Sequence, residues 1–228
     1  DGLIWREGEV WISSPNLQNL NTAPDQIINW SYTGINWVSA QYQLSARSRD
    51  DVGRWQSNIT TTTFRIDVSG PNSGILLPET NKAYNNSNNA IASIQGTAQD
   101  ESAGSGIPND GVELWIRCLG PIGEVLAWPT TYWNGTAWVD NPAGDLWLPV
   151  PAGNLSGSPG DTFRTWVYPT PDFSLLPNNG NGYRFRVQSR AKDVAQNSGP
   201  GSAIIAFEYD ISRPTSSITQ PLEGAQLN

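Results

Sequence analysis

Apolar residues in this chain recur at every second position, which is the period of a strand with one covered face. Tyr183, Phe185, Val187 and Ala191 alternate with Arg184, Arg186, Gln188 and Arg190. Tyr42, Leu44 and Ala46 alternate in the same way with Gln43, Ser45 and Arg47. A third run sets Val112, Leu114, Ile116 and Cys118 inward and Glu113, Trp115 and Arg117 outward, and Ile205, Phe207, Tyr209 and Ile211 make a fourth. Turn-forming groups separate the runs: Gly104-Ser105-Gly106, Asn109-Asp110-Gly111, Asn134-Gly135 and the stretch 178–182. No segment sustains a 3.6-residue period. The expectation is an all-β chain of short antiparallel strands packed as sandwiches.

The pattern repeats. Tyr42 pairs with Tyr183 and Arg49 with Arg190 at an offset of 141. Phe64, Asp67 and Pro71 pair with Phe207, Asp210 and Pro214 at 143, which implies a loop longer by two residues in the second copy. Upstream, Trp30-Ser31-Tyr32 matches Trp166-Val167-Tyr168 at 136, and Trp5 matches Trp133 at 128. Order kept over such a length marks an internal repeat of one architecture. Its frame predicts the C-terminal half of one repeat over 1–70, a complete repeat over 71–213, and the first strand of a further repeat over 214–228. Half a sandwich leaves open strand edges, so adjoining chain or a neighbouring copy is expected to complete it. Strand complementation between subunits is one route.

Composition narrows the chemistry. There is no His and one Cys among 228 residues, which excludes Ser-His-Asp and Cys-His nucleophile systems, His-ligated metal and internal disulfides. The net charge of -8 supplies no attraction for nucleic acid. No apolar run reaches the roughly 18 residues of a membrane helix. The chain opens on Asp1-Gly2 and lacks Met, so a processed product or a piece of a longer polypeptide is expected.

The segment Ile94-Gln95-Gly96-Thr97-Ala98-Gln99-Asp100, the Gly104-Ser105-Gly106-Ile107 turn and Val112-Glu113-Leu114 resemble the opening motifs of bacterial Ig-like tandem repeats. The runs 132–139, 165–169 and 183–197 and the joint Asp210-Ile211-Ser212-Arg213-Pro214 resemble the remaining ones, so the likeness covers nearly the whole chain. One departure is Gln196, where such repeats usually carry Gly. The resemblance implies tandem immunoglobulin-like sandwiches in a large exported surface protein, and it says little about function because sandwiches serve many roles.

Three sets of side chains are candidates for chemistry. Asp100, Glu101 and Asp110 around one loop could hold a calcium ion, since hard cations take carboxylate oxygens, although no loop has the dense acidic spacing of a dedicated site. Asp50 and Asp51 form another acidic pair, and Asp67 and Asp210 stand at the joints. Trp115, Trp128 and Trp147 are candidates for stacking on a glycan, whereas Trp5/Trp133, Trp11/Trp138 and Trp30/Trp166 recur between copies and read as core. Five sequons stand at Asn29, Asn58, Asn85, Asn134 and Asn154. Cys118 reads as a small buried hydrophobe.

The expected function is a non-enzymatic, extracellular structural protein: a stiff string of modules, joined by short Pro-fixed links, forming or projecting from a prokaryotic surface layer or fibre. Its partners are adjoining repeats or neighbouring copies. The alternative is an adhesin or a carbohydrate-binding module with glycan partners.

Overall fold

The computed structural model describes residues 16–18, 29–31, 35–50, 52–123, 131–140, 144–220 and 223–224, with the backbone alone at 16–18 and 29–31. The chain divides into two compact units, Asp1–Ile66 and Asp67–Asn228. The described residues contain strands and three short 3-10 turns, as the absence of a helical period predicts.

In the first unit, β1 (Asn16–Gln18) pairs antiparallel with β2 (Asn29–Ser31), setting Leu17 opposite Trp30. Strands β3 (Ala40–Ala46) and β4 (Thr60–Ile66) form an antiparallel hairpin with Tyr42 opposite Phe64. Those two rings stack at 5.8 Å, and Trp37 packs edge-on to both at 5.0 and 5.6 Å. Trp55 stays half exposed under the guanidinium of Arg47, 4.2 Å from its ring centre.

The second unit is built from β5 (Asn72–Leu77), β6 (Lys82–Tyr84), β7 (Ser93–Gln99), β8 (Val112–Pro121), β9 (Thr131–Trp133), β10 (Trp138–Asp140), β11 (Leu148–Pro149), β12 (Phe163–Pro169), β13 (Tyr183–Ala191) and β14 (Ile205–Tyr209). The larger sheet runs β10-β9-β8-β13-β14-β6, with β11 alongside β8, and the smaller runs β12-β7-β5. All pairings are antiparallel except β14 with β6. The two inner faces enclose one core, as in a sandwich. Leu114, Ile116, Cys118, Phe185, Val187 and Phe207 come from the large sheet, and Ile94, Ala98, Trp166 and Tyr168 from the small one. Phe173, at a 3-10 turn, fills the space over Phe185 and Tyr209 at 4.9 and 4.4 Å.

The close approach of Trp166 explains a motif residue. A Cβ on Gly96 would lie 2.2 Å from the Trp166 ring, so only glycine fits beneath the indole. Trp166 and Trp133 are core, as their recurrence predicts, and Trp138 is packed against that core. Trp5 and Trp11 lie outside the described residues.

The two hairpins share their strand register and turn hydrogen bonds at one constant offset. Phe185 stands opposite Phe207, as Tyr42 stands opposite Phe64, so both strands shift by 143 (185 − 42 and 207 − 64). The rings repeat the stacking, 5.3 Å and 22° against 5.8 Å and 25°. In the turn of the first unit Arg54 N donates to the Asp50 side chain and Gly53 N to the Asp50 carbonyl. Asn197 N and Gln196 N make the same bonds to Asp193. The bridge Arg49–Trp55 recurs as Lys192–Ser198. Tyr42 therefore corresponds to Phe185 rather than Tyr183, and Arg49 to Lys192 rather than Arg190. The loop between the two strands of the hairpin is the same length in both copies. Because the two alignments differ by an even number, each side chain keeps its predicted face. Leu155 bridges Trp166 as Leu17 pairs with Trp30, which places that stretch in common as well.

The two compact units divide between Ile66 and Asp67. Asp67 and Gly70 belong with the second unit: the Asp67 carbonyl accepts from the Asn197 amide, and Gly70 lies against the backbone of Ser198 and Gly199. Beyond Pro214 the described residues make no strand, and Ile218 is 86% exposed.

Candidate functional site

The acidic residues that converge are Asp67, Asp100 and Asp193, one oxygen of each lying within 4.8 Å of the others. Asp67 comes just after β4, Asp100 just after β7, and Asp193 opens the turn after β13. Each is aimed by its own turn. One Asp67 oxygen accepts from Ser69 N at 3.2 Å and the other from Ser105 N at 2.6 Å. Asp100 accepts from Glu101 N at 2.9 Å and Gly106 N at 2.8 Å. Asp193 takes both the backbone N and the side-chain amide of Asn197 at 2.8 Å. Gly104 permits this closure, since a Cβ there would meet the Asp100 carboxylate at 2.2 Å.

Asp193 and Asp100 are almost wholly buried. Burial is the main reason that both carboxyls are pushed above their ordinary value, and the negative charge of Asp67 adds to the effect. Burial pushes Asp67 in the same direction, but the hydrogen bonds from Ser105 and Ser69 outweigh it and hold Asp67 below its ordinary value. Protonation is therefore favoured at Asp100 and Asp193 and disfavoured at Asp67. The oxygen donors are of the class that hard cations take. Among the described residues, Asp67, Asp100 and Asp193 are grouped closely enough to hold one.

The predicted set Asp100, Glu101 and Asp110 is not brought together. Glu101 is exposed and contributes only its backbone N–H to Asp100. Asp110 is drawn to Lys192, 2.9 Å away, which holds its carboxyl below the usual range. Sequence reasoning marks Asp67 as a joint residue without grouping it with Asp100, and it passes over Asp193. The available signal is recurrence: Asp193 repeats Asp50, and Asp67 repeats Asp210 down to the bond from Ser212 N.

Of the predicted stacking residues, Trp115 offers no open ring. Trp115 is 3% exposed, packed against Tyr132 and Trp147, with its Nε1 bonded to Gln188. Trp147 carries the Arg190 guanidinium on one face at 4.1 Å. Trp128 lies outside the described residues. Outward alternation suggests an available Trp115 ring, but the neighbouring aromatic side chains cover it.

Of the sequons, Asn58 and Asn134 are exposed, and Asn85 and Asn154 are half-buried. The Asn134 side-chain oxygen already accepts from Thr136 N and Ala137 N, and that of Asn85 from Ser87 N and Asn89 N. Asn29 lies in β2, and only its backbone is described.

Set against known proteins, this chain matches no family profile and no curated protein.

Proposed function

We propose that this chain is a non-enzymatic, extracellular structural protein: a string of immunoglobulin-like modules that forms, or projects from, a prokaryotic surface layer or fibre. The observation that carries the reading is the constant 143-residue spacing of two hairpins, their turns and the aspartates just beyond them. A unit copied with its joint intact is what a spacer requires, because length is then set by copy number. The long β8–β13 pairing, from Val112–Pro121 against Tyr183–Ala191, supports a load-bearing role. Calcium, glycans and neighbouring copies belong to this reading as candidate partners.

Pulling the full chain from its two ends tests it. The second unit should break in one discrete event that releases roughly 570 Å of chain, at about 3.5 Å for each residue of Asp67–Asn228. A smooth extension without such an event would remove the mechanical reading.

A further inference from the structure

The outer face of the large sheet carries three arginines on β13, and their cross-strand neighbours differ. Arg184 stands opposite Glu208 and pairs with it at 3.3 Å. Arg190 stands opposite Glu113 and pairs with it at 2.7 Å. Between them, Arg186 has Arg117 opposite on one side and Ala206 on the other. Like charges directly opposed across a ladder are unfavourable, and of the three arginine rungs on this face that of Arg186 has no carboxylate directly opposite, with the neutral Gln188–Trp115 rung separating it from Arg190–Glu113. Arg117 leans its guanidinium over Tyr132, 5.9 Å from the ring centre.

A groove of about 350 Å³ lies beside that rung, lined by Asn81, Arg184, Arg186, Ala206, Phe207 and Glu208. Asn81 is fixed against the edge of β14 by the bond from its N–H to the Ala206 carbonyl. Arg186 is exposed at the groove. A planar guanidinium binds a carboxylate through two parallel hydrogen bonds, and the amide beside it suits a hydroxyl. We infer that this groove binds a carboxylate-bearing sugar, a uronate, with Arg186 taking the carboxylate and Asn81 a ring hydroxyl. The depression favours a sugar over an acidic protein surface, which would lie flat across the sheet rather than enter it. The inference stands apart from the spacer reading, and the pulling experiment is indifferent to its outcome.

The test is calorimetric titration of the full chain with a galacturonate tetramer, beside a neutral galactose tetramer of the same length. The acidic tetramer should bind and the neutral one should not. Binding should weaken at high salt, because exposed charges are screened. Arg186→Gln should weaken it at least tenfold with a melting temperature no lower than the parent's, since it relieves the opposed charge of Arg117, and Arg186→Lys should restore it only in part. Glu208→Gln, which removes the groove's own carboxylate, should strengthen it. No heat at millimolar tetramer, equal binding of the neutral tetramer, or indifference to Arg186→Gln would each overturn the inference. So would Arg186-dependent self-association of the chain without tetramer binding, which would assign the face to an acidic protein surface.

Discussion

Gly53 and Gln196 occupy the same position in two copies of one turn, and both have left-handed backbones, with φ of 88° and 70°. Each donates its N–H to the carbonyl of the aspartate that opens the turn. A residue with a Cβ is strained in that region, by roughly 1–2 kcal/mol. Glycine relieves the strain and returns part of the gain as chain entropy. Gln196→Gly should therefore stabilise the second unit by about 0.5–1 kcal/mol, read as a higher denaturant midpoint. A lower midpoint would mean that the Gln196 side chain contributes something its backbone geometry does not reveal.

The carboxylate group predicts an unusual dependence on pH. Asp100 and Asp193 have raised values in the folded state, so above the ordinary carboxylate value of 3.8 these two groups hold more protons folded than unfolded. Their contribution is complete below that value and is lost as pH rises through their folded values. Asp67 runs the other way, contributing above 3.8 and losing its share as pH falls through its lowered value. With chelator present, the second unit should gain stability as pH drops from neutral toward the ordinary carboxylate range. Added calcium at neutral pH should raise the melting midpoint by offsetting the same repulsion, and Asp193→Asn should weaken both effects, leaving the share of the pH dependence that belongs to Asp100. A midpoint indifferent to calcium would remove the ion from this group.

Gly96 lies under the Trp166 indole with no room for a methyl group. Gly96→Ala must push the ring out of the core or part β7 from β12, at a cost of about 1–3 kcal/mol or more. Gly153, where an added Cβ meets nothing within 4 Å, is the control. Equal melting temperatures for the two alanine variants would contradict the packing described.

Cys118 is fully buried on the inner face of β8, and burial pushes its thiol above its ordinary value. The thiolate is the reacting form, so a thiol reagent at pH 8 should leave the folded chain unmodified and label it completely in denaturant. Rapid native labelling would show that the core opens around β8.

Much of the strand layout is legible in the sequence because its signal is local. Alternation in 112–118, 183–191 and 205–209 reveals both the strands and their inward faces, since each is a half-covered surface in an antiparallel sheet. The repeat is legible too, but its register is not. Matching letters favour Tyr42 with Tyr183, whereas hydrogen bonding aligns Tyr42 with Phe185, and one aromatic can replace another in the core. The carboxylate group is hidden for a different reason. Asp67, Asp100 and Asp193 are far apart in sequence, and only the sandwich brings their turns to one end. Trp115 shows the limit of alternation: outward in the pattern, it is covered by Trp147 and Tyr132, which no period could foretell.

The stretch from Tyr42 to Pro71 and the stretch from Phe185 to Pro214 are equal in length and matched turn for turn. Genetic exchange between the two copies anywhere within these stretches would keep every later residue in register. An encoding gene could thus shed or acquire an entire 143-residue block in one recombination step, leaving no scar in the fold.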